Sequence, residues 1–145
     1  MSRHIPASLR DLVTKRAKRI CEYCLAFEGH SYVKFQMEHI ISLKHGGKTE
    51  ADNLALSCFY CNNAKGTDLG IILGDGTFTR FYHPRNDNWR DHFELENHLF
   101  VPKTKIGEGT IKILTLNHEE RLVERLAFLE IGQFPHPNAL SIIRK

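Results

Sequence analysis

The chain has 145 residues, 41% of them hydrophobic and 26% charged, with a formal net charge of +3; this suits one globular domain of roughly 100–150 residues with a modest core. No apolar run approaches the roughly 20 residues of a bilayer-spanning helix, which excludes a membrane span of that kind. The opening "MSRHIPASLRDLVTKRAKR" lacks the apolar segment and cleavage site of a secretory signal, so a cytoplasmic location with reduced cysteines is expected.

The charge is unevenly spread. Residues 1–20 hold Arg3, Arg10, Lys15, Arg16, Lys18 and Arg19 against Asp11, a net +5, while the remainder sums to −2. Such a patch can neutralise phosphates and make binding salt-dependent; a solvated helix face is the plainer reading. Pro6 suits a first helical turn, and Leu9, Leu12, Val13, Ala17 and Ile20 recur at three- and four-residue steps. An amphipathic, basic helix is predicted over 6–20.

Residues 21–36 show no clean period and are expected to form a loop or short irregular strands. Residues 37–41 and 54–57 read as the strands of a β-hairpin whose long tip is "SLKHGGKTEADN". "NNAKGTDLG" suits a short helix closing at or before Gly70. "GTFTRFYHP" alternates like a strand that Pro84 ends, with a second small hairpin around "LGDG". A helix through Ile106, Thr110, Ile113 and Leu114 is expected to stop near Asn117, where Asn117 and Glu120 have capping-box spacing. Leu122, Leu126 and Leu129 then form the apolar stripe of a final helix, ended by Gly132 and Pro135. With no repeat, low-complexity tract or linker, residues 1–145 are expected to be one domain.

Cys21 and Cys24 form one Cys-x-x-Cys pair, Cys58 and Cys61 another, and the chain has no other cysteine. Two such turns can bring four thiolates into the tetrahedral shell that Zn²⁺ accepts. The competing readings are a redox pair and four unrelated buried thiols. The first needs a βαβ context that is missing, and the second does not account for two matched pairs. A four-sulfur shell leaves no open position, so the zinc is expected to be structural.

Between and beside the pairs, "EHIISLKHGG", "DNLALSC" and "CNNAKG" resemble the HNH endonucleases, in the branch where two cysteine knuckles bracket a ββα-metal motif. The motif core covers residues 21–66; "FYHPRNDNWRDHF" and "IGEGTIKILTLN", in a C-terminal extension over 71–145, resemble that of a bacterial subfamily of small HNH proteins. The resemblance implies an α+β fold with a ββα-metal core held by a four-cysteine structural zinc, flanked by helices.

It also implies roles. His39 matches the general base that deprotonates the attacking water, a task that a neutral imidazole suits. Glu38 stands where the family usually has Asp as a ligand of catalytic Mg²⁺ or Mn²⁺, and Asn62 matches the second ligand of that ion, both supplying hard oxygen. Asn53 matches the asparagine that orients the base by bonding backbone across the hairpin. Lys65 matches a lysine read as a phosphate-side or helix-packing residue. Adjacent strand residues face opposite ways, so Glu38 and His39 can share a cleft only at a strand end, twist or bulge.

Outside the motif, Arg85 and His92 in "HPRNDNWRDHF", with Arg16 and Arg19 of the first helix, are candidate phosphate or DNA contacts. Trp89 and Phe93 are expected to pack in the core. The expected function is divalent-metal-dependent hydrolysis of phosphodiester bonds, in DNA, leaving 3′-hydroxyl and 5′-phosphate ends. The alternative is a non-catalytic zinc-knuckle module that binds nucleic acid.

Overall fold

The computed structural model of the protein describes residues 4–145, so Arg3, part of the basic N-terminal segment, lies outside the described residues. Pro6 precedes the first helix, α1 (Ala7–Ala17). The helix stops short of the expected Ile20 because Lys18 and Arg19 take φ of 54° and 63°. That turn lets Ile20 pair with Phe27 across the first cysteine pair. Val13 and Ala17 are buried while Leu12 is exposed, so the apolar stripe is narrower than its spacing suggests.

The expected hairpin forms as β1 (Gln36–His39) and β2 (Leu54–Ser57), antiparallel, with Glu38 opposite Ala55 and His39 opposite Leu54. Pairing ends at His39 instead of Ile41 because the Asn53 side chain takes over both backbone groups of Ile41. The next helix, α2 (Phe59–Lys65), is capped by the Cys58 sulfur, which accepts from the Cys61 N–H, and ends at Gly66 with φ 52°. It lies against β1. On the other face, Leu54 and Leu56 pack with Ile5, Val13 and Ala17. The outer edge of β2 is covered as well: the Glu22 N–H donates to the Leu56 carbonyl, and Glu22 Oε2 accepts from the Leu56 N–H. An edge strand left open would offer these groups to other chains.

Downstream, β3 (Gly70–Ile72) and β4 (Phe78–Arg80) form the second expected hairpin, with Thr79 inward and Phe78 exposed. A short helix, α3 (Trp89–His92), leads straight into β5 (Phe93–Glu96), which pairs with β6 (Leu99–Pro102). The sequence reading missed this third hairpin, whose turn holds Asn97 at φ 59°. Trp89 and Phe93 are buried as expected, and both meet Phe100 edge to face.

The helix α4 (Lys105–Ile113) is capped by the Thr104 hydroxyl, which accepts from the Gly107 N–H. The capping box expected at Asn117 does not form. His118 precedes α5 (Glu119–Glu130), and Asn117 instead accepts from the Phe100 N–H and donates to the Phe100 carbonyl. The leucine stripe of α5 holds only in part: Leu129 packs against the core, but the buried residues are Arg121 and Arg125, and Leu126 is exposed. The inward face meets carbonyls and cysteine sulfurs, which cations satisfy and leucines would strand. Arg125 bonds the His98 and Leu116 carbonyls and lies over the Phe100 ring. A last short helix, α6 (Leu140–Ile143), closes against α3. The fold is α+β with a ββα-metal core, and no helix among the described residues is long and apolar enough to cross a membrane.

Candidate functional site

The two cysteine turns converge. Ligand sulfurs of Cys21, Cys24, Cys58 and Cys61 all lie within 4.8 Å of one another, and all four residues are buried. The Cys24 and Cys58 sulfurs are 3.6 Å apart, close to the roughly 3.8 Å edge of a tetrahedron with Zn–S bonds of about 2.3 Å. The donor set therefore fits zinc, in a closed and structural shell. Burial pushes the Cys21 and Cys61 thiols up, while hydrogen bonding to the other cysteines pulls Cys24 down; four thiolates here need a cation to hold them. Arg121 adds to that cation from outside the shell. Its Nη2 donates to the Cys61 sulfur at 3.2 Å and lies 3.9 Å from that of Cys58. Burial opposes its charge, but the surrounding sulfurs outweigh burial and hold the guanidinium above its ordinary pKa.

The two residues inside the first knuckle tie it to the hairpin. Glu22 clips onto Leu56 of β2, and the Tyr23 hydroxyl donates to Glu38 Oε2 at 2.6 Å. The other Glu38 oxygen accepts from Lys65 Nζ, which also donates to the Ile40 carbonyl at 2.8 Å. Glu38 is 3% exposed and Lys65 2%. Burial raises the Glu38 pKa, with the Lys65 charge and the Tyr23 hydroxyl acting against it. Both oxygens of Glu38 are engaged inside the protein, which leaves none open for a catalytic ion, and Lys65 packs in the core against Glu38, the helix-packing one of its two expected roles.

His39 faces the other way, as the alternation of a strand requires. It is half-buried, and its Nε2 lies 2.8 Å from the Thr49 hydroxyl in the hairpin tip. Asn53 holds that tip: it accepts from the Ile41 N–H and donates to the carbonyls of Ile41 and Lys48. Gly47 permits the approach, since a Cβ there would sit 1.8 Å from the Ile41 carbonyl oxygen and 2.7 Å from Asn53 Nδ2.

Asn62 is half-buried on α2 and donates to Gln36 Oε1, on the strand face that Gln36 shares with Glu38. The structure thus gathers Gln36, Glu38, Asn62 and Lys65 on one side of β1 and sets His39 with Thr49 on the other. Arg16 donates to the carbonyls of Ala51 and Leu54, which flank Asn53. Arg19 pairs with Glu28 and lies over the Phe27 ring. His92 Nδ1 is bonded to the Thr104 hydroxyl. Arg85 is ion-paired with Glu22. Sequence reasoning missed Thr49, Gln36, Tyr23, Glu22 and Arg121. Only Arg121 left a trace, as a pair with Arg125 spaced for one helix face.

A hairpin crossed by a helix and clamped by four cysteines defines a zinc-knuckle protein of the ββα-metal class. Residues 21–68, a third of the chain, match the family model described as HNH endonuclease. The match supports a nuclease-type function in general. Comparison with curated proteins gives no match, and comparison with solved structures gives none either.

Proposed function

We propose that the protein is an endonuclease that hydrolyses phosphodiester bonds in DNA, with His39 as general base. The observation that carries the proposal is the placement of His39 at the end of β1, half-buried and 2.8 Å from the Thr49 hydroxyl, in a tip that Asn53 fixes with three hydrogen bonds. A neutral imidazole takes a proton from water as the water oxygen attacks phosphorus. The bond from phosphorus to the 3′ oxygen breaks, that oxygen takes a proton from solvent, and the products are a 3′-hydroxyl and a 5′-phosphate. Asn53 is a positioning residue in this scheme.

Mg²⁺ or Mn²⁺ enters the proposal through the family. When bound, such an ion neutralises charge developing on the phosphate. Asn62 has an amide oxygen to offer, but from the side of β1 opposite His39, and Glu38, with both oxygens engaged, does not fit as its partner ligand. Residues 71–145 are proposed to belong to the same domain as the motif, because Leu114, Leu116 and Phe134 share one core with the cysteines and Arg121 reaches their sulfurs. A reducing, cytoplasmic setting is part of the proposal, since a disulfide would consume the zinc ligands.

The sealed Glu38 carboxylate favours a second reading, a zinc-knuckle module that binds nucleic acid without cutting it. Plasmid DNA incubated with the protein and Mg²⁺ or Mn²⁺ separates the two. Nicking by the wild type and none by His39→Ala supports the nuclease; no nicking by the wild type leaves the binding module, and equal nicking by the variant overturns His39 as the general base.

A further inference from the structure

Behind the hairpin, a cavity of about 330 Å³ opens between α1, the loop that precedes α3, and α6. Arg16, Arg85 and Lys145 line it, together with Ser141, against the single acid Glu22. Three cationic side chains thus face one acidic side chain in the lining. Glu22 is itself fully used, with one oxygen on Arg85 and the other on the Leu56 N–H. Arg85 remains under-compensated even so: its Nη1 is buried and has no hydrogen-bond partner among the described residues.

The three cations disfavour one another. Burial, then the charge of Arg16, brings the Arg85 pKa down to about 10. Burial, then Arg85 and Arg16, lowers Lys145, against a smaller opposing pull from Asp87. Arg16 is lowered by burial, with Asp52 opposing. Like charges gathered around one concavity become favourable when an anion enters, and guanidinium groups suit the oxygens of a phosphate.

We propose that this cavity binds a phosphate group, held by Arg16, Arg85 and Lys145 with the Ser141 hydroxyl as a further donor. Arg16 bonds the carbonyl of Leu54, the residue paired with His39 across the hairpin. The cavity therefore flanks the hairpin at its β2 edge, where a strand presented to His39 could leave one of its phosphates. Free phosphate has the same chemistry. The inference rests on the proposed function only in naming nucleic acid as one source.

The test reads binding, not cleavage. A fluorescein-labelled DNA duplex is titrated by anisotropy, without Mg²⁺, across a range of salt concentrations, and inorganic phosphate is titrated separately by calorimetry. Arg16→Gln with Lys145→Gln should reduce the slope of log K against log salt by about 1, the value of one lost phosphate contact. Lys112→Gln, at an exposed lysine outside the cavity, should leave the slope unchanged. Lys145→Gln alone, which removes one bond to the Pro84 carbonyl, serves should the double variant unfold, and weakening by it in either titration supports the site. Weakened DNA binding without phosphate binding assigns the site to the nucleic-acid backbone. Weakened phosphate binding with an unchanged DNA slope assigns it to a free ion. Unchanged binding of both probes, or an equal effect of Lys112→Gln, overturns the proposal. Absence of nicking by the wild type would remove the nuclease and leave this result standing.

Discussion

Glu38 and Lys65, 27 residues apart, form an ion pair sealed between β1 and α2. A carboxylate this deep gains little from water and depends on its partner. Removing one member of a buried pair strands the other, at a cost of about 3–5 kcal/mol, whereas replacing both with apolar groups of similar volume costs far less. Lys65→Met and Glu38→Gln should each lower stability in urea by an amount of that order. The double variant Glu38→Leu with Lys65→Met should be much closer to wild type than the sum of the two singles. Wild-type stability in Glu38→Gln would sink the structural role and reopen that of metal ligand.

The contact between His39 and Thr49 gives a second expectation. A general base contributes roughly 10²- to 10⁴-fold, so His39→Ala should reduce nicking by that order without moving the thermal midpoint by more than a degree or two. Thr49→Val removes only the hydroxyl that orients the ring, and its loss should be smaller, roughly tenfold, with substrate affinity kept. Equal losses in the two variants would mean that Thr49 has a part in the chemistry itself.

What could be foreseen from sequence followed from how local each interaction is. Coordination by a Cys-x-x-Cys turn is set within four residues, and Asn53 bonds backbone no further than Ile41, so both were legible. The role of Glu38 depends on Tyr23 before it and Lys65 after it, and no local pattern shows that its oxygens are already engaged. Helix α5 misled in part for a related reason: Leu129 packs on the core as hydropathy suggests, but beside Arg121 and Arg125 the wall is made of sulfurs and carbonyls, which the two guanidinium groups satisfy. The β5–β6 hairpin was within reach. Asn97 is a good residue for a positive-φ turn, and Phe93, Leu95 and Phe100 flank it on the two strands.

Asp87 should govern acid sensitivity in the loop that carries Arg85. It binds Arg80 through both oxygens, at 2.7 and 3.0 Å, and accepts from the His83 N–H at 2.8 Å. Burial works to raise its pKa, but these bonds outweigh burial and lower it. A carboxylate with a lowered folded pKa contributes stability above its unfolded value of about 3.9, and loses that contribution as pH falls through the folded value. Wild type should therefore lose stability below about pH 4 more steeply than Asp87→Asn, followed by thermal melts at a series of acid pH values. Parallel pH profiles would exclude Asp87 as a source of the acid sensitivity.

Arg121 sits outside the zinc shell yet touches it, and the chemistry of four thiolates on one Zn²⁺ says what it should do. The complex carries two net negative charges inside the protein, and a buried guanidinium 3.2 Å from the Cys61 sulfur offsets part of that charge. Partners outside the ligand shell are typically worth about 10- to 100-fold in metal affinity. Arg121→Gln should therefore lower zinc affinity within that range, measured by competition with a chromogenic chelator, while all four cysteines still ligate. Cys58→Ser removes a ligand and should weaken zinc binding further. Mild chelation should stop nicking before it strips the zinc, because the closed sulfur shell holds its ion more tightly than an oxygen site open to solvent. Zinc content is then read on the same sample as activity. Zinc loss that tracks the loss of nicking one for one would mean that a single metal serves both the fold and the reaction.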